Sequence, residues 1–168
     1  ALLPTGGGKS LCYQIPALMK PGICLVISPL RALIRDQIKE LSNKGIKALN
    51  LSEGSGQQDL LRILDNAEFG SFKFIFSSPE KLQNSIVKQR LKSLKVSLIA
   101  IDEAHCISAW GHDFRTDFNK LGELTELFED IPVIALTATA TPVVLDDIKK
   151  VLNLDALKTR LFKTSLNR

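Results

Sequence analysis

Two stretches of this sequence carry residue types suited to polyphosphate chemistry. One is Pro4-Thr5-Gly6-Gly7-Gly8-Lys9-Ser10. The other is the apolar run 96–101, which ends in Asp102-Glu103-Ala104-His105 and continues through Trp110, His112, Phe114 and Arg115. In the first, successive glycines let backbone N–H groups converge on phosphate oxygens without Cβ clashes. Lys9 has the reach for the β- and γ-phosphates, and the Ser10 hydroxyl suits Mg²⁺. In the second, adjacent carboxylates buried without partners would be costly. They are expected at a strand's carboxyl end, where open parallel sheets place ligands. There Asp102 can hold Mg²⁺, and Glu103 can orient or deprotonate a water. The strict phosphate-loop pattern has Gly where this chain has Leu3.

These motifs need elements to position them. Residues 9–19 read as a helix whose amino end adds a favourable dipole at the glycines. The runs 23–27, 46–51, 72–76, 96–101 and 133–136 read as short, buried strands. Between them lie helical patterns. One starts at Leu30 and stops at Gly45. Another opens on a capping-box-like Ser55-Gly56-Gln57-Gln58 and runs to about Glu68. A third, over 81–95, carries Lys81, Lys88, Arg90, Lys92 and Lys95 with no acidic residue, either as a phosphate-facing strip or as the solvated face of a helix that turns Ile86, Leu91 and Leu94 inward. A fourth spans 117–128, and a fifth starts at Thr141 with Pro142 in its first position. A further strand is possible over 160–163. Strands alternate with helices, so the fold class is α/β with a mostly parallel central sheet flanked by helices on both faces. The strand order stays open. Arg31 and Arg35 sit near the start of their helix, against its dipole, so a ligand role stands level with plain surface exposure.

Composition sets bounds. The 168 residues are 45% hydrophobic and 24% charged, with a net charge of +4, and the pI is about 9.0. That suits one domain and is compatible with a polyanionic partner. Three cysteines at irregular spacing point to a reduced, intracellular protein. His105, Cys106 and His112 fit no usual four-ligand zinc spacing. No apolar run approaches the roughly 20 residues of a membrane span. The chain opens on Ala1-Leu2-Leu3-Pro4, with no initiator Met and no room for a preceding strand, and reads as a piece of something longer.

The ordered set PTGGGKS, SPLRALIRDQ, SSPEKL, IDEAHCISAWGHDFR and ALTATAT resembles the first RecA-like lobe of a RecQ-family DNA helicase of superfamily 2. The likeness covers essentially the whole chain, and the WGHDFR loop is its most specific part. Ala109 and Thr116 stand where that family commonly has Gln and Pro, and Arg31 where it has an apolar residue.

The resemblance implies an enzyme that couples ATP hydrolysis to 3′-to-5′ unwinding of duplex DNA in repair and recombination. Its implied cofactors are ATP and Mg²⁺. Its implied partners are single-stranded and duplex DNA and a second RecA-like lobe, with no membrane. Residues 4–10, Asp102 and Glu103 would bind ATP. Ser10 and Asp102 would hold Mg²⁺, and Lys9, Asp102 and Glu103 would be catalytic. His105, Thr137, Ala138 and Thr139 would couple nucleotide state to DNA. Ser28, Pro29, Arg31, Pro79, Trp110, His112, Phe114 and Arg115 would contact or sense DNA. The second lobe would supply an arginine finger, and an upstream segment would recognise adenine, so the 168 residues alone are not expected to unwind. An RNA-directed motor of the same superfamily, and a nucleotide- or DNA-binding module without turnover, are the alternative readings.

Overall fold

The computed structural model describes residues 1–4, 6–53, 56–110, 113, 115–155 and 157–163. In chain order its elements are α1 Lys9–Met19, β1 Ile23–Ile27, α2 Arg31–Asn43, β2 Ala48–Asn50, α3 Gln57–Phe69, β3 Phe74–Ser77, α4 Ser85–Ser93, β4 Val96–Ile101, α5 Leu121–Leu127, β5 Val133–Ala135 and α6 Pro142–Val151. The strands form one sheet in the order β2-β3-β1-β4-β5. Every pairing is parallel.

Alternation along β1 explains why both faces are covered. Cys24 and Val26 point into a core shared with Tyr13 and Ala17 of α1 and Ile34 and Leu41 of α2. Ile23, Leu25 and Ile27 point into the opposite core, with Leu60 and Leu64 of α3, Val87 and Leu91 of α4, Leu124 of α5, and Val144 and Ile148 of α6. A strand buried on both faces reads as a continuous apolar run, which is why β1 and β4 were legible residue for residue.

Several expectations change in detail. The helix expected over 81–95 is broken: a 3-10 turn Lys81–Gln83 precedes α4. Asn84 starts α4 by accepting from the amides of Ile86 and Val87. The basic face of α4 is not simply solvated. Lys88 pairs with Glu123 of α5 at 2.5 Å, and Arg90 pairs with Asp65 and Glu68 of α3. The 117–128 helix begins as a 3-10 turn, Thr116–Lys120, and becomes α5 only at Leu121. The expected capping Ser55 lies outside the described residues; the residue in the N-cap position of α3 is Gly56, and no side chain caps it. Thr141 does cap α6, accepting from the amide of Val144. Among the described residues no helix is long and apolar enough to cross a membrane.

Beyond β5, Leu2 forms parallel bridges to Thr137 on one side and Lys163 on the other. The residues before the phosphate loop therefore pair beyond β5 through single bridges rather than as a strand of the sheet. The possible strand at 160–163 is reduced to that single bridge.

Candidate nucleotide and nucleic-acid site

The glycine loop meets the sheet beside β5. The Leu3 amide donates to the Thr137 carbonyl at 3.0 Å, and the Gly7 amide to the Pro4 carbonyl at 2.9 Å. A Cβ on Gly7 would stand 2.8 Å from the Pro4 carbonyl oxygen, so this tight curl excludes a side chain. Gly8 is left-handed (φ 77°) and occupies the N-cap position of α1, with no side-chain cap and no acidic residue in the first turn. The helix thus begins without a capping side chain among the described residues, and its first amides and positive dipole end are suited to an anion. Gly6, Gly7 and Gly8 are exposed, while Pro4, Lys9 and Ser10 are half-buried. Thr5, expected in this loop, lies outside the described residues.

The carboxylate pair sits where β4 ends. The Asp102 amide donates to the Ile27 carbonyl of β1, and the Ala104 amide to the Leu136 carbonyl just past β5. Between these two bonds Glu103 takes a left-handed conformation (φ 49°), a strained choice for a non-glycine residue. That kink turns Glu103 toward the loop: its Oε1 lies 3.7 Å from Lys9 Nζ. Asp102 is buried, with 6% of its surface exposed. Its Oδ1 accepts from the Glu103 amide at 3.0 Å, and its Oδ2 accepts from Gln37 Nε2 at 3.2 Å. Gln37 in turn accepts from the Tyr13 hydroxyl. Burial, and then the charge of Glu103, push the Asp102 carboxyl above the usual aspartate range, while Gln37, the Glu103 amide and Lys9 pull it back. Burial, and then the nearby Asp102, raise the Tyr13 phenol, which keeps it a donor.

His105 continues the line. Its Nδ1 lies 3.3 Å from Glu103 Oε2 and 2.9 Å from Thr137 Oγ1. Thr137 Oγ1 donates to the Thr139 carbonyl at 3.0 Å and accepts from the Thr139 amide at 3.3 Å. The single hydroxyl proton is therefore committed to Thr139, so hydrogen-bond accounting assigns the Nδ1 proton to His105. Lys9, Glu103, His105, Thr137 and Thr139 form one contiguous polar chain. Ala138 lies between the two threonines and is half-buried.

Those of the expected DNA residues that are described follow the carboxyl ends of β1, β3 and β4 but differ in exposure. Trp110 is 79% exposed. Ser28, Pro29 and Pro79 are buried, so their side chains do not reach the surface. Ser28 Oγ has no hydrogen-bond partner. The outward positions in those turns belong to Leu30, Arg31 and Glu80. Arg31 pairs with Glu80 at 3.3 Å, and Arg35 with Glu53 at 3.2 Å, so neither is a plain surface arginine. Arg115 donates from Nη1 to the Pro29 carbonyl at 2.8 Å, joining the aromatic stretch to the turn after β1. His112 and Phe114 lie outside the described residues. Sequence reasoning missed Gln37 and Asp147. Gln37 stands within the quoted SPLRALIRDQ, but only the apolar spacing there was read.

Oxygen-only donors, a buried carboxylate whose ionisation is disfavoured without a cation, and a half-buried serine in the first turn of α1 fit a hard divalent ion at Ser10 and Asp102. A parallel sheet with an uncapped glycine loop and a carboxylate pair on its carboxyl edge is the arrangement of a RecA-like nucleotide-binding lobe. The helicase domain of Pyrococcus furiosus Hef has this fold, at a TM-score of 0.66 and 21% identity over 90% of this chain and 33% of that one. The DUF1998 helicase MrfA, solved bound to DNA and AMPPNP, matches at the same TM-score over 89% of this chain and 23% of its own.

Residues 1–148 match the model of the DEAD/DEAH box helicases, and the chain belongs to that family. Its relatives carry the narrower likeness read from the motifs. It is 47% identical to the probable ATP-dependent DNA helicase RecS of Bacillus subtilis, over 100% of this chain and 33% of that protein. It is 46% identical to the ATP-dependent DNA helicase RecQ of the same organism (94% and 27% covered). It is 48% identical to the Haemophilus influenzae RecQ (93% and 25% covered). The resemblance to RecQ helicases therefore holds, and the chain spans a third or less of the length of these curated relatives.

Proposed function

We propose that this chain is the ATP-binding motor lobe of a RecQ-type 3′-to-5′ DNA helicase, acting in repair and recombination with DNA and a second RecA-like lobe as partners. The observation that carries the reading is the 3.7 Å approach of Lys9 to Glu103, which brings the glycine loop and the carboxylate pair into one site. In this reading the amides at the start of α1 and the Lys9 ammonium hold the β- and γ-phosphates. Gln37 and the Glu103 amide fix the Asp102 carboxylate for Mg²⁺, which would polarise the phosphoryl oxygens when bound. Glu103 orients the attacking water and accepts its proton. His105, Thr137 and Thr139 pass the state of that site toward the DNA side, where Trp110 offers a stacking face worth roughly 1–3 kcal/mol per base. Three cysteines without a disulfide accord with a reducing, intracellular setting.

Phosphoryl-transfer motors of related type gain about 10³–10⁵ in rate from an arginine finger. In this reading that finger belongs to the partner lobe. The 168 residues alone are expected to bind ATP–Mg²⁺ and single-stranded DNA weakly without unwinding.

The test uses the sole tryptophan. Single-stranded DNA is titrated against Trp110 emission at several salt concentrations, with nucleotide binding measured alongside in wild type and Lys9→Ala. A saturable, salt-weakened change with nucleotide binding lost in Lys9→Ala supports the reading. Robust unwinding by the chain alone refutes the division of labour. Nucleotide binding that survives Lys9→Ala refutes the site.

A further inference from the structure

The 3-10 turn Ala104–Ile107 follows Glu103 and leads toward Trp110. Both of its ends are fastened to the same second segment, the one running from Thr137 into α6. At the front, His105 meets Thr137 at 2.9 Å. At the back, Ser108 Oγ donates to Asp147 Oδ2 of α6 at 2.5 Å and accepts from the Trp110 amide at 3.2 Å. Ser108 is only 1% exposed, so bulk water does not replace a lost partner there. A carboxylate acceptor also polarises the hydroxyl and strengthens its hold on the Trp110 amide.

The placement of Asp147 is tightly determined. Val144 and Ile148, on either side of it, are core residues that fix the roll of α6. The neighbouring Asp146 makes an ordinary surface pair with Lys149 at 3.3 Å. Among the described residues Asp147 has no cationic partner; its carboxylate is engaged with a buried hydroxyl instead. The backbone that carries the exposed Trp110 is thus tied through two hydrogen bonds to the helix that begins three residues after Thr139.

We propose that Asp147 is a positioning residue for Trp110. Through Ser108 it sets the direction in which Trp110 leaves the protein and keeps it in register with the 137–139 segment. Its meaning for DNA rests on the function proposed above; its structural content does not.

The experiment compares Asp147→Ala, Asp147→Asn and Ser108→Ala in the 168-residue chain, with folding checked by far-UV circular dichroism. The first readout is the anisotropy and near-UV dichroism of Trp110 without DNA. The expected result is a loosened tryptophan in Asp147→Ala and Ser108→Ala, and recovery in Asp147→Asn, which keeps an acceptor oxygen. The double variant Asp147→Ala/Ser108→Ala should be no looser than either single one, because both break the same link. The second readout is affinity for labelled single-stranded DNA, expected to fall about three- to tenfold in the alanine variants. Unchanged Trp110 signals in folded Ser108→Ala and Asp147→Ala overturn the proposal. A loosened Trp110 with unchanged DNA affinity supports the positioning and overturns the DNA role given to Trp110.

Discussion

Gln37 Nε2 donates to Asp102 Oδ2 at 3.2 Å, across 65 residues of chain. The bond connects α2, which starts in the turn after β1, to the carboxylate proposed to hold Mg²⁺. Hydrogen bonds to charged groups contribute about 1.5–3 kcal/mol, and the part-buried position of this one argues for the lower end. Gln37→Ala should therefore weaken Mg²⁺–nucleotide binding roughly tenfold and, because the buried Tyr13 hydroxyl also loses its acceptor, lower the thermal midpoint by a few degrees. Isothermal titration on the two proteins checks it; equal affinities would mean that Asp102 is oriented without Gln37.

The protonation of Asp102 gives a pH prediction. Burial and Glu103 raise its carboxyl above the usual range. A raised acid in the folded state means that the folded chain binds the proton more tightly than the unfolded one. The contribution of this group to stability is therefore greatest at low pH. It declines as pH rises from the ordinary aspartate value through the raised one. Above the raised value the penalty is fully present, so in that range Asp102→Asn should melt at the same temperature as wild type or higher. Divalent-ion binding runs the other way: it needs the ionised form and should fade on acidification at a pH above the normal aspartate range. A melting temperature clearly lowered by Asp102→Asn would contradict the assignment.

Glu103 keeps its left-handed backbone whatever its side chain carries, because flanking bonds to Ile27 and Leu136 impose it. Glu103→Gln changes charge and not shape. In the proposed two-lobe enzyme it should abolish hydrolysis while nucleotide binding persists, and stability should move by less than about 1 kcal/mol. Retained turnover in a steady-state phosphate-release assay would remove Glu103 from the proton-accepting role.

Thr137→Val keeps the volume and deletes the hydroxyl that receives His105 and bonds twice to Thr139. Thr137 is buried, with 3% of its surface exposed. Leaving its partners unsatisfied should cost about 1–3 kcal/mol. In the proposed two-lobe helicase the more telling effect is on coupling: DNA-stimulated hydrolysis should fall well below wild type while the DNA-free rate holds. The ratio of the two rates is the readout, and an unchanged ratio would sever this chain of contacts from function.

Much of this was readable in advance, for a physical reason. β1, β4 and α1 were read with the bounds they have, because a strand covered on both faces is a continuous apolar run and α1 follows directly on glycines. Helices that open with a 3-10 turn, such as α5, were misplaced because apolar spacing does not separate the two geometries. The chemistry-bearing motifs were legible because each is a short linear run, at a strand end or at the start of α1, and a parallel sheet gathers strand ends on one edge. Gln37 and Asp147 were not legible. Each is a single polar residue on a helix, defined only by a partner 65 or 39 residues away, and the strand order that brings them together was open. Burial of Ser28, Pro29 and Pro79 was also beyond the motifs, which mark a turn without saying which of its residues face outward.

The pairing of Arg31 with Glu80 has one more consequence. It spans two adjacent strand-end turns, and both side chains are about half exposed, 54% and 45%. Exposed pairs of this kind are worth about 0–1 kcal/mol. A backbone phosphate arriving at the turn can take the guanidinium from Glu80 as one anion replacing another, at small net cost. The displaced carboxylate then faces the new anion and repels it, which favours release as much as capture. On the proposed reading of this chain as a motor lobe that advances along DNA, grip is less useful than quick exchange, and a parked arginine of this kind would work as a lubricant at the track.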